Sequence, residues 1–100
     1  MLHHFLLCFL VFIMAEVAAA VAQNIRGQSY TVNRGKRRIG EVIHTTNVSI
    51  PEDCALICMA KSCHSYNAVH GNEEILCEIL GEQTQLNIIE NTQSDYHCKL

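Results

Sequence analysis

The sequence contains no G-x-S-x-G, no H-E-x-x-H and no C-x2-C. A nucleophile elbow, a zinc-protease helix and a thioredoxin-type redox pair are excluded with them, because each chemistry depends on its spacing. His44, His64, His70 and His97 are scattered, and each reads as an ordinary surface or strand histidine. His97 and Cys98 do not make a catalytic dyad, since neighbours on a strand point to opposite faces. There is no internal repeat and no low-complexity linker. These absences point away from an enzyme and away from any cofactor.

No apolar run is long enough to cross a bilayer. Phe5 to Ala15 is eleven consecutive apolar residues, whereas a spanning helix needs about 20 and would here have to bury Glu16. No Lys or Arg precedes Arg26, so positive charge ahead of the run comes only from the amino terminus and from whatever His3 and His4 carry. Small residues follow, ending Ala20-Val21-Ala22 before Gln23. An A-x-A tripeptide beyond a short apolar run is what a signal peptidase reads, because its pocket admits only small side chains there. Residues 1–22 are therefore expected to be a signal peptide cut between Ala22 and Gln23. The mature chain would be secreted, extracellular and without a stable membrane anchor.

What remains is one small domain, and a core of that size supplies only about 3–5 kcal/mol unaided. It wants staples, and an oxidising compartment supplies them as disulfides. Cys54, Cys58, Cys63, Cys77 and Cys98 survive the cut. An odd number leaves one to be free, capped or bonded to another chain, and several pairings are open. Zinc is a weak alternative: C-x3-C-x4-C-H places His64 beside Cys63 but lacks the paired spacings of a zinc site.

Ser49-Ile50-Pro51-Glu52 reads as a capping box, with Pro51 tolerated in a first turn and Glu52 and Asp53 suited to the positive end of the helix dipole. Residues Cys54 to Ala60 are all apolar, which predicts a short helix buried on most of its surface. Cys54 and Cys58, four apart, share one face, so each should reach a partner off the helix and not the other. Strands are expected at Ser29 to Asn33, Ile39 to Val48, Cys63 to Val69, Ile75 to Leu80, Thr84 to Ile89 and Ser94 to Leu100, with a turn at His70 to Glu73. The economical architecture is α+β: a small antiparallel sheet crossed by one short helix.

Val48-Ser49-Ile50-Pro51-Glu52-Asp53-Cys54, then Cys58, then Cys63-His64-Ser65-Tyr66-Asn67 and Cys77-Glu78-Ile79-Leu80 resembles the centre of a PAN/apple domain, over about residues 39–98. That resemblance implies a helix with a C-x3-C pair set against a sheet, and the disulfides Cys54–Cys77 and Cys58–Cys63. It also implies a binding module whose partners are extracellular proteins or carbohydrates. Larger apple domains join the first and last strands by a further bridge. Cys98 stands at the last-strand position, yet no cysteine occurs from Gln23 to Asp53 to answer it. Cys98 is thus expected to be accessible on an edge strand and to link two copies of the chain, or to be capped.

Charge is lopsided along the chain. Arg26, Arg34, Lys36, Arg37 and Arg38 precede every acid except Glu16, while the acids after residue 38 face only Lys61 and Lys99. Residues 23–38 thus read as a basic strand and loop region ahead of a domain core at 39–100. The run Arg34-Gly35-Lys36-Arg37-Arg38 allows three readings: a solvated hairpin turn with Gly35 at its tip, a contact for a polyanion such as heparin, or a furin-type processing site. Nucleic acid is not an expected partner. Asn47-Val48-Ser49 is the N-x-S sequon, a glycosylation site if the chain is secreted. The function expected is a secreted, non-catalytic binding module. The alternative is a precursor cut at Arg34–Arg38 to release a hormone-like or toxin-like factor.

Overall fold

The computed structural model describes residues 20–82 and 87–100. Strand β1 (Ala20–Ile25) turns back at Arg26 and Gly27 into β2 (Gln28–Arg38). Both turn residues have positive φ, 53° and 87°, the twist that lets a two-residue hairpin match its strands. The Asn24 carboxamide accepts from the Gly27 amide at 3.2 Å and closes the turn. Then come β3 (Val42–Val48), the helix α1 (Asp53–Ala60), β4 (Ser65–His70), β5 (Ile75–Leu80) and β6 (Ile88–Lys99). The strands form one antiparallel sheet in the order β1-β2-β6-β4-β5-β3. The small antiparallel sheet with one short helix is thus what the described residues form.

Several local expectations are corrected. The capping box does not form: the N-cap is Glu52, in helical conformation, with no side-chain cap bond. A tight turn does the work instead. Backbone bonds from Asp53 to Ile50 (3.0 Å), Cys54 to Pro51 (3.1 Å) and Ala55 to Glu52 (3.1 Å) satisfy the first helical amides. Nor is α1 buried on most of its surface. It lies on the sheet along one stripe, Cys54, Ala55 and Cys58, and leaves Leu56 and Met59 exposed. The two strands expected at Thr84 to Ile89 and Ser94 to Leu100 are, from Ile88 onward, the single strand β6. Residues 84–86 lie outside the described residues, as do residues 1–19 of the expected signal peptide. The Ala22–Gln23 bond falls inside β1.

The helix ends in a way that explains one staple. Ser62 takes a left-handed φ of 55°, the Cys63 amide donates to the Cys58 carbonyl at 2.8 Å and the Ser62 amide to the Met59 carbonyl at 3.1 Å. This is a Schellman motif, which ordinarily carries an apolar contact between the residue after the reversal and the one three from the helix end. Here those two residues are Cys63 and Cys58, with Cα atoms 4.9 Å apart, and the contact is a disulfide. The other staple, Cys54–Cys77, spans 5.4 Å between Cα atoms and ties α1 to β5.

Register sorts the sheet into two faces. Cys77 faces α1, and so do its neighbours across the strands: Thr46 and Ala68, then Tyr66 and Ile79, then His97 and Val32. Tyr30, Val32, Tyr66, Ala68, Ile75, Cys77 and Ile79 pack there against Cys54, Ala55, Cys58 and Cys63. Leu80, Tyr96 and Cys98 form a separate cluster on the opposite face, with Ile88 against it.

Candidate functional site

The basic run is not a hairpin tip. It is the last part of β2, paired to β6 as Arg34 to Asp95, Lys36 to Glu90, Arg37 to Ile89 and Arg38 to Ile88. Gly35, at φ 73°, stands where the register shifts, opposite the bulged residues 91–94 of β6, and its positive φ suits glycine. The sequence signal for a turn was this glycine among charges; what it missed is that β6 answers the run with acids.

Each cation meets a partner. Lys36 pairs with Glu90. Arg37 makes a two-pronged contact with Glu78 on β5, Nε to Oε1 at 2.9 Å and Nη2 to Oε2 at 2.5 Å. The pair holds the Glu78 carboxyl below its ordinary range, with a further bond from Asn67, and raises Arg37. Arg38 is buried; its Nη1 donates to the Tyr96 hydroxyl at 2.8 Å. The Asn67 carboxamide accepts from the Arg38 amide at 3.0 Å and donates to the Arg38 carbonyl at 2.9 Å and to Glu78 at 3.1 Å. Arg37 and Arg38 are thus engaged within the sheet. The part of the run most open to a ligand is Arg34, whose side chain is 61% exposed.

Arg34 leads to a polar cluster centred on Asp95. One Asp95 oxygen accepts from the Gly35 amide at 3.2 Å. The other lies 3.6 Å from Nη1 of Arg34 and 3.4 Å from Nε2 of His70. A cavity of about 110 Å³ opens beside it, lined by Gln23, Ile25, Glu52, His70, Asp95 and His97 among others. It can hold one small polar group between the carboxylates of Asp95 and Glu52 and the guanidinium of Arg34. Sequence reading passed over Asp95 and took His70 as ordinary; only the strand register brings them together.

His97 is a strand histidine, on the inner face of β6 and not at the surface. It is buried, stacked on Tyr66 with ring centroids 4.4 Å apart and edge-on to Tyr30. Burial pushes its pKa down to about 4, against a partial opposing effect of its contact with the Asp95 carbonyl. Cys98, one residue on, points to the other face.

The expectation for Cys98 is corrected as well. β6 is an interior strand, flanked by β2 and β4, and places Cys98 between Thr31 and Ser65. Its exposure is 0%, and it is disulfide-bonded. It is buried in the interior of the sheet and not exposed on an edge strand.

Cys54, Cys58, Cys63 and Cys77 are held as the two disulfides, and His64 beside Cys63 gains no thiolate company. Among the described residues no group of three or more His, Cys, Asp or Glu side chains is arranged to hold a metal ion. Asn47 is exposed near the end of the edge strand β3. It faces away from α1, opposite Leu76, at the wall of an open groove of about 650 Å³. No protein-family model and no curated protein matches the sequence.

Proposed function

We propose that the chain is a secreted, PAN/apple-like binding module that recognises an extracellular protein or carbohydrate and catalyses nothing. The observation that carries this reading is the pair of staples: Cys54–Cys77 fixes α1 to β5, and Cys58–Cys63 locks the reversal at the end of α1. Such crosslinks persist in oxidising compartments and suit a domain with a small core. The same pairs are those the PAN/apple resemblance implies. Ligand contact is assigned to the Asp95 cavity and its exposed cation Arg34, with His70 at the rim. The alternative, a precursor cut at Arg34–Arg38, draws little support from a run that is paired along an interior strand, since folded ladders resist proteases.

Expression of the full chain in a secretory host tests the reading. Protein in the medium beginning at Gln23 supports it, and a start at Arg38 or Ile39 supports the precursor. The secreted protein is then screened on glycan and extracellular-protein arrays. A ligand whose binding is lost in Arg34→Ala/His70→Ala, with unchanged unfolding, places recognition at the cavity. Binding untouched by the double substitution removes the cavity from the reading.

A further inference from the structure

The sequon and an open groove of about 650 Å³ meet at one side chain. Register aligns Asn47, Leu76, Val69 and Ser94 in a single row across β3, β5, β4 and β6. The row lies on the face turned away from α1, since the adjacent row contains Cys77, whose sulfur reaches Cys54. Leu76 and Val69 are half-buried and form an apolar floor. The β4–β5 turn and the bulged middle of β6 supply Asn72, Glu73 and Gln93 as an exposed polar rim. Asn47 stands at one wall of this groove with its carboxamide open to solvent.

We propose that this groove is the seat of a glycan carried by Asn47 itself, with the innermost N-acetylhexosamine laid over Leu76 and Val69. The inference rests on the secreted reading. In that compartment a lipid pyrophosphate-linked oligosaccharide is the donor. The Asn47 Nδ2 forms a bond to the anomeric carbon, the bond from that carbon to the pyrophosphate oxygen breaks, and Nδ2 loses one proton. A pyranose is amphipathic in the way the groove is: its C–H face is apolar and its rim carries hydroxyls. The C–H face matches Leu76 and Val69, one strand and two strands from the attachment point. The hydroxyls and the acetamido group match the amides of Asn72 and Gln93 and the carboxylate of Glu73. Attachment at the wall removes most of the association cost, because the sugar is already held at the groove. The glycan also covers the uncharged, β-branched edge strand β3, which carries no Lys or Pro to discourage pairing with another chain.

The test uses the full chain from a secretory host, its glycan trimmed enzymatically to one N-acetylglucosamine, beside Ser49→Ala and Asn47→Gln, which remove the sequon in different ways. The expected result is slower amide exchange over residues 69–76 and a melting temperature higher by a few degrees in the sugar-bearing protein. That advantage should shrink when Asn72→Ala/Gln93→Ala is added, although these exposed side chains lie outside the core. Secreted protein with Asn47 bare overturns the assignment. So does a sugar that leaves exchange over 69–76 unchanged. Failure of the chain to enter the secretory path is read separately, from retention in the cell with residues 1–22 intact, and overturns the secreted reading together with the glycan.

Discussion

The two faces of this sheet are buried by different chemistry. Under α1 the cover is covalent and aromatic: two disulfides, Tyr30 edge-on to Tyr66 at 5.5 Å, and Tyr66 stacked on a neutral His97. On the opposite face the strands bury Thr31, Asn33, Ser65, Asn67, Glu78, Ser94 and Arg38 around Tyr96. There a network of hydrogen bonds and one ion pair does most of the ordering, beside the buried, disulfide-bonded Cys98. The first face is directionally tolerant, since apolar and covalent contacts do not require every atom to be matched. The second is exacting, because each buried polar atom without a partner costs about 1–3 kcal/mol. Even there some atoms go unmatched: the Asn33 carboxamide and the Ser94 hydroxyl have no hydrogen-bond partner.

Cutting the covalent link gives the largest expected difference between the faces. Cys54→Ser/Cys77→Ser should lower the unfolding free energy by about 2–5 kcal/mol, with secretion reduced or lost. Urea denaturation of whatever folds checks the value. A loss under 1 kcal/mol would mean that α1 is held on the sheet by packing alone.

Acid separates the faces next. His97 is neutral when folded, with its pKa near 4, and titrates at about 6.5 when unfolded. Between those values the unfolded chain binds the extra proton, so stability is full above about 6.5 and falls as pH drops toward 4. The shift corresponds to about 3 kcal/mol. The groups around His97 are Tyr66 on β4, Tyr30 and Arg34 on β2, and Asp95 and His70, so the effect is that of a crowded site and not of one residue alone. Glu78, on the other face, has a lowered pKa, so its contribution is present above its unfolded value and disappears only at lower pH. Urea midpoints from pH 7 to pH 4 should therefore decline in wild type and stay flatter in His97→Gln. An identical decline in both would assign the acid sensitivity elsewhere.

Removing charge from the second face should cost less. Glu78→Gln keeps shape but withdraws the anion from Arg37, and because Arg37 reaches water the loss is expected at about 1–3 kcal/mol. Arg37→Ala should cost a similar amount, and the double substitution less than the sum. Additive losses would show that the two side chains stabilise the sheet independently.

What was legible in the sequence follows the same division. Cysteine spacing, β-branched runs and the apolar stretch Cys54 to Ala60 are local signals, and they led to an antiparallel sheet, one helix and its position. The second face is built from pairings between residues far apart in the chain, Arg37 with Glu78 and Arg38 with Tyr96. Nothing local marks those partners. Gly35 shows the failure clearly: a glycine among charges has the composition of a turn, and only β6 lying alongside keeps it within a ladder. Cys98 was misjudged because the last strand was placed at an edge, whereas it runs through the middle of the sheet. The candidate cavity was invisible for the same reason, since Asp95 and His70 come together only through the β4–β6 pairing.

The smallest predicted effect is the sharpest, because one substitution should have opposite signs on the two faces. Under α1 the hydroxyl of Tyr66 is buried and finds no hydrogen-bond partner, and burial drives its pKa up. The native state therefore gives up the water that solvates this hydroxyl in the unfolded chain and receives nothing in return. Phenylalanine keeps the ring, its stack on His97 and its edge contact with Tyr30 while deleting the unmatched group. Tyr66→Phe should leave stability unchanged or raise it by about 1 kcal/mol. On the far face the hydroxyl of Tyr96 accepts from Nη1 of the buried Arg38 at 2.8 Å. Tyr96→Phe deletes that acceptor beside a desolvated cation and should cost about 1 kcal/mol. Urea midpoints of the two variants, measured at pH 7 where His97 is neutral, decide the matter. Equal losses from both would mean that the hydroxyl under α1 is solvated after all, and that the two faces differ less than their geometry implies.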